Sequence, residues 1–439
     1  MAVDLLVGLL LASIGLSFLQ WLKRSRRHLA SAAVLLTLLV LSGLATSLPT
    51  SPFFVGSDAA GYQIWGSKIA ESIINSETLN LPTLWPGKGI WPLTIGFLQV
   101  LVGQTPFFSL IFLNSLLIVF CAWMTREAAQ RFTGIDAPWV VTISYILNAP
   151  IMLFGPMGLR EAFFWVGASM GVLAIASLRT TAFLRALVCL LGTGLILIGF
   201  RPDLGYALWS GLTLAFIFQT VLLNRKGQRL VPAILGACAA TTLIVSFLPI
   251  MTWLGHPGDG DLTVRSSASR ITNSAINSSN GLTKVLPNSA FPETLLLADS
   301  ESPSLVLIGR AIGNSPRAFF GPFWWELEAA PIWILSGLAA VQFWFLLSTA
   351  GVFLLKGGRS RTPTILLLTL AFGLIFLLAA TVPVYGILLR FKVVAAILLL
   401  PASAGGILVL SKTISSRNVV QMDGNYFRSS LARGRFGSL

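Results

Sequence analysis

Apolar runs of about 20 residues, almost free of charge, recur from one end of this chain to the other. A run of that length spans roughly 30 Å of hydrocarbon as a helix. Helices are favoured there because each backbone N–H and C=O finds its partner within the segment. The apolar/polar alternation of a transmembrane β-barrel is absent. Only 10% of residues are charged and 55% are hydrophobic, whereas soluble domains are about a quarter charged. The sequence therefore predicts an all-α, polytopic membrane protein.

Spans are expected near 3–22, 29–48, 105–124, 138–154, 161–178, 186–200, 204–223, 230–254, 332–355, 363–382 and 393–411, about eleven transmembrane helices. The stretch 90–103 is apolar but short, and Pro92 and Pro106 flank it, so a re-entrant or interfacial segment is expected. Positions 1–411 read as a single transmembrane domain with two long outer loops, about 49–104 and 255–331. The remainder, 412–439, is polar and rich in Ser and Arg, and reads as a disordered cytoplasmic tail. The first run differs from a cleaved signal, which carries its positive charge before the apolar stretch. Here Asp4 lies at its start, and Lys23, Arg24, Arg26 and Arg27 follow it, so it reads as a retained span with its N-terminus outside.

The net charge is +14. Every second connection is basic: 23–28, 125–137, 179–185, 224–229, 356–361 and the tail together hold 19 of the 30 Lys and Arg, with only Glu127, Asp136 and Asp423 as acids. The positive-inside rule accounts for this bias and places those segments in the cytoplasm. Membrane topology, rather than nucleic acid, explains the charge. The other connections then face the non-cytoplasmic side.

Cys121, Cys189 and Cys238 lie within apolar runs without metal spacing, and the histidines are His28 and His256 alone. Neither a disulfide framework nor a zinc site is expected. No cofactor is implied, and a divalent metal is left open. The absence of a Walker loop and of GxGxxG argues against an ATP-driven pump.

Ionisable groups near membrane depth are costly and mark functional sites by default. Asp58, in Gly56-Ser57-Asp58-Ala59-Ala60-Gly61-Tyr62, follows the second span. Tyr62, Trp65, Ile69 and Ile73 then recur at helical spacing, as in a helix along the bilayer surface. Asp58 is also well suited to cap that helix. Glu161 follows Arg160 after a Gly155-Pro156 break. It either complements the helix dipole or stands as an acid beside a cation at a cavity mouth.

Arg201, in Arg201-Pro202-Asp203, ends a short span. It could hold a phosphate bidentately or pair with an acid. Arg390 and Lys392 are cations on the outer side, against the positive-inside bias. They read as ligands for an anion or as side chains snorkelling to headgroups. Trp324, Trp325, Glu326 and Glu328 read as an aromatic belt or as groups for sugar stacking and hydroxyl binding, with Arg310 and Arg317 upstream in the same loop.

An acid after an early span, followed by a Tyr-bearing amphipathic helix, resembles the first outer loop of the GT-C glycosyltransferase superfamily. Trp91-Pro92-Leu93 running on to Val102-Gly103-Gln104, the basic residues at Arg126–Arg131, and Pro150 follow in similar order, so the resemblance covers about 50–210. It departs in the Arg160 before Glu161 and in the extra N-terminal span. Gly321-Pro322-Phe323-Trp324-Trp325-Glu326 and Leu389-Arg390-Phe391-Lys392 are similar to stretches of bacterial membrane proteins that assemble surface polysaccharides.

The resemblance implies a polyprenyl-phosphate or diphosphate sugar donor, a glycan or lipid-linked acceptor, and action on the non-cytoplasmic face of a bacterial inner membrane. It implies Asp58 and Glu161 as catalytic groups, with Tyr62, Arg160, Arg201, Asp203, Glu326, Arg390 and Lys392 binding substrate. Two other function classes compete with the enzyme. One is a transporter or flippase of a lipid-linked or anionic solute. The other is a non-catalytic assembly protein. A transporter would place charges at mid-membrane and often shows inverted repeats.

Overall fold

The computed structural model describes residues 1–23, 25–47, 56–77, 79, 90–178, 183–223, 303–321, 330–356, 361–381 and 388–411. Among the described residues every regular element is a helix. In chain order these are α1 (Ala2–Lys23), α2 (Arg26–Thr46), α3 (Gly56–Ile74), α4 (Ile90–Val102), α5 (Phe108–Thr133), α6 (Pro138–Ile146) and α7 (Ala149–Phe154). They continue as α8 (Glu161–Ser177), α9 (Phe183–Phe200), α10 (Pro202–Leu223), α11 (Pro303–Phe320), α12 (Ala330–Lys356), α13 (Arg361–Thr381) and α14 (Leu388–Ser411).

Eight of these are long and apolar enough to cross a membrane: α1, α2, α5, α9, α10, α12, α13 and α14. Their outward faces carry Leu6, Leu10, Leu214, Val341 and Phe345, all exposed. Water would penalise such a surface and hydrocarbon would not. This is the architecture of a polytopic membrane protein.

Three of the eleven expected spans are not among the eight. The 138–154 stretch is broken into α6 and α7, because Pro150 has no N–H to donate and its ring collides with the preceding turn. Asn148 caps the second piece, accepting from Ile151 N at 3.0 Å. The 161–178 stretch forms α8, 17 residues or about 25 Å long. The 230–254 stretch, most of the 255–331 loop and the tail lie outside the described residues, whereas most of the 49–104 loop is described and holds α3 and α4.

Helix α8 lies inside the described bundle. Every position in it except Phe163 and Met170 is buried. A helix that is apolar all round belongs inside a bundle. Around it pack α5 and α14, the most buried of the eight candidate spans. Phe164 of α8 meets Phe391 of α14 edge-on at 5.8 Å. Helix α5 stops at Gly134, whose φ of 74° suits glycine and lets its N–H reach Gln130 O.

The N-terminal helix is tied to this core by a charge. Asp4 is buried and accepts from Phe107 N and Phe108 N at 2.8 Å, from Ser109 N at 2.9 Å and from Ser109 Oγ at 2.6 Å. The first amides of α5 have no partner within their own helix. A carboxylate from another helix supplies one, at the positive end of the dipole.

Helices α3 and α4 form a close pair. A Cβ on Gly66 would meet Ile95 Cγ2 at 2.5 Å, and one on Gly96 would meet Gly66 O at 3.0 Å, so both positions require glycine for the approach. This changes the expected face of α3. The buried side is Gly66, Ile69 and Ala70, whereas Trp65 is exposed. The helix turns that side onto α4.

Candidate functional site

The turn at 155–160, between α7 and α8, is held by its backbone carbonyls. Asn114, fully buried in α5, donates from Nδ2 to Leu159 O at 3.1 Å and also to Met157 O. Trp91, fully buried in α4, donates from Nε1 to Gly158 O at 2.8 Å. Side chains from two helices thus grip three consecutive carbonyls just ahead of Arg160 and Glu161. Phe163 extends the grip, edge-on to Trp91 at 5.7 Å and stacked on Phe200 at 4.4 Å.

Glu161 opens α8 and is 2% exposed. Its Oε1 is 2.7 Å from Arg201 Nη2 and 3.6 Å from Arg390 Nη1. Its Oε2 has no hydrogen-bond partner among the described residues. Arg201 sits in the break between α9 and α10, a break that Pro202 permits as the first residue of the new helix. Arg390 is in the first turn of α14, where Trp165 Nε1 donates to its carbonyl at 3.2 Å. Arg160 donates from Nη1 to Phe200 O at 2.9 Å.

Aromatic rings complete the setting. The Arg201 guanidinium lies 5.0 Å from the Phe391 ring, Arg390 lies 5.0 Å from Phe154, and Arg160 lies 6.0 Å from Tyr62. Such contacts favour a cation over a ring face. Three guanidiniums and one carboxylate therefore meet where α8 and α14 begin and α9 ends. Arg160 and Arg390 are 3% and 6% exposed, so neither snorkels to a headgroup. A cluster with three cations to one acid carries excess positive charge and suits an anion with planar oxygens.

Lys392 belongs elsewhere. It lies two residues beyond Arg390 and so points to another side of α14. Its Nζ donates to Phe319 O of α11 at 2.7 Å and lies 5.1 Å from the Phe343 ring of α12. It is 3% exposed, with no carboxylate partner among the described residues. The two cations grouped in the sequence thus face different partners.

Asp58 is the third residue of α3, within its first turn and past the cap position. Asp203 is the second residue of α10. The side chains of both lie outside the description, as do Trp324, Trp325, Glu326 and Glu328 entirely. Among the described residues no three of His, Cys, Asp or Glu come together as metal ligands. Asn114, Trp91 and Asp4 were not singled out as site or anchor groups from the sequence. Asn114 had a usable signal, since it is a lone amide inside an apolar run, and such residues are rarely idle in a membrane.

Comparison with known proteins found no matching family model, no matching curated protein and no matching solved structure.

Proposed function

We propose that the chain is a membrane glycosyltransferase or polysaccharide polymerase of GT-C type. It would move a sugar from a polyprenyl-phosphate- or diphosphate-linked donor to a glycan or lipid-linked acceptor. In this reading about eleven spans cross a bacterial inner membrane, the N-terminus is outside, the tail is cytoplasmic, and the site faces the non-cytoplasmic side. The observation that carries the reading is the meeting of Arg160, Arg201 and Arg390 at Glu161, at helix ends of an apolar bundle.

The chemistry assigns each group a task. The acceptor's hydroxyl oxygen bonds to the sugar's anomeric carbon as the bond from that carbon to the phosphate oxygen breaks, and the phosphate leaves with the electron pair. Arg201 and Arg390 hold that phosphate and stabilise its growing charge. Asp58 takes the proton of the acceptor hydroxyl as general base. Glu161 keeps the guanidiniums aligned and orients the acceptor. Tyr62, through the Arg160 contact, lines the same region.

The test is binding and turnover in reconstituted vesicles. The intact protein should retain undecaprenyl diphosphate, and Arg201→Gln with Arg390→Gln should release it. Asp58→Asn should keep binding and lose transfer. Undiminished retention by the double variant would sink the assignment. A transporter is favoured instead by one feature, the buried Lys392 without a carboxylate partner among the described residues. Uptake of a lipid-linked solute without glycosidic bond formation would select that reading.

A further inference from the structure

Two other carboxylates of this fold use both their oxygens. Asp4 takes Phe107 N and Phe108 N on Oδ2, and Ser109 N and Oγ on Oδ1. Towards the far end of α5, Asp136 accepts from Arg126 Nε on Oδ1 at 2.6 Å and meets His28 Nε2 with Oδ2 at 2.7 Å. Glu161 differs. Its Oε1 meets Arg201 Nη2 at 2.7 Å, while Oε2 is buried without a hydrogen-bond partner among the described residues. Arg201 is incomplete in the same way, with its buried Nε left over. Nε and Nη2 form one edge of a guanidinium and can take both oxygens of a carboxylate. The pair makes one of those two bonds, and the two unmet atoms belong to its own members. Buried polar atoms are normally satisfied, so this ion pair is held less firmly than its one short contact suggests.

The surroundings let the carboxylate move. Arg390 Nη1 is 3.6 Å from the same Oε1, beyond hydrogen-bond length. Closing that gap by about 0.8 Å gives a charge-assisted hydrogen bond. Arg201 keeps a support without Glu161, because its guanidinium rests 5.0 Å from the Phe391 ring. Arg201 is also the accessible member. Its side chain is 24% exposed, against 7% for Arg390 and 3% for Glu161. An anion arriving from outside the bundle meets Arg201 first.

We infer that a phosphate or diphosphate group binds here by exchange: it takes the place of Glu161 on Arg201, and Glu161 Oε1 passes to Arg390. Glu161 is then the resident counter-ion of the unloaded site and competes with the ligand for Arg201. Only hydrogen bonds change partners. The inference rests on the reading of this cluster as a phosphate site and adds how that site is loaded.

Inorganic pyrophosphate binding to the full chain in neutral detergent tests it, by calorimetry and by thermal melting. Glu161→Gln removes the competing charge and should tighten binding about tenfold, the scale of one hydrogen bond between charged groups. Its melting temperature should also rise further with pyrophosphate than that of the intact protein, because the anion replaces the missing carboxylate. Glu161→Asp keeps the charge, and with it the fold, but draws the carboxylate back from Arg201 by one methylene. It too should bind pyrophosphate more tightly than the intact protein. A gain in Glu161→Gln without one in Glu161→Asp assigns the effect to net charge alone and overturns the exchange. If the intact protein binds pyrophosphate and neither variant gains, the exchange falls while the phosphate reading stands. If none of the three binds it, both fall.

Discussion

Glu161 and Arg201 lie forty residues apart in the chain, yet Glu161 Oε1 and Arg201 Nη2 are 2.7 Å apart in the fold. The pair joins the start of α8 to the junction of α9 and α10, and Arg390 approaches the same oxygen from α14 at 3.6 Å. Removing one partner of a buried pair leaves the other charge uncompensated, which costs about 3–5 kcal/mol. Glu161→Gln should therefore destabilise the protein by about that amount, because it strands cations. Arg201→Gln should cost less, because Arg390 remains beside the carboxylate. Thermal melting in detergent orders the two variants. An Arg201→Gln penalty larger than that of Glu161→Gln would contradict this account of the cluster.

Asn114 governs the turn that presents Arg160 and Glu161. Asn114→Leu removes the amide that donates to Met157 O and Leu159 O; Met157 O keeps the Leu159 N–H, while Leu159 O left unsatisfied costs about 1–3 kcal/mol. The expected result is faster amide hydrogen exchange at 157–161, with little change in the middle of α5. Uniform protection across 157–161 in the variant would show that Trp91 alone secures the turn.

Asp136 sets an acid limit on the end opposite Glu161. Burial by itself would raise its pKa, but the Arg126 hydrogen bond and charge, followed by those of His28, outweigh it and bring the value below the usual carboxylate range. A depressed folded pKa gives stability that is fully present above the unfolded value, about 3.9. That stability is lost as pH falls through the folded value. The melting temperature should fall on acidification from pH 5 to pH 3, and Asp136→Asn should flatten that part of the profile. Parallel profiles for the two proteins would remove Asp136 from the cause.

Lys392 separates function from stability. A buried ammonium held by one carbonyl and one ring retains much of its desolvation cost. Replacing such a charge with an apolar residue of similar size is often neutral or stabilising. Lys392→Met should melt at the same temperature or higher. Its transfer or transport activity then reports whether the charge serves the reaction. A large fall in melting temperature would show that the ammonium contributes net stability and would overturn this expectation.

The membrane character was legible because it depends on local composition. A run of about 20 apolar residues has the same consequence whatever packs beside it, and eight such runs stand as helices. The break at 148–150 was legible in principle, since Pro150 forbids a continuous helix. Hydropathy alone masked it, because Pro within an apolar stretch barely lowers the average.

Which residues share a site was settled by tertiary packing. Arg390 and Lys392 are two residues apart and read alike in sequence, yet helical geometry turns them to different neighbours. Glu161 finds its closest cation forty residues away, at a junction made by another helix pair. Asp4 looked like a mark of chain orientation and serves as the cap of α5. Local sequence determines which segments enter the bilayer, because transfer free energy is summed along each segment. The pairing of charges inside the bundle depends on which helix faces meet, and only the folded chain decides that.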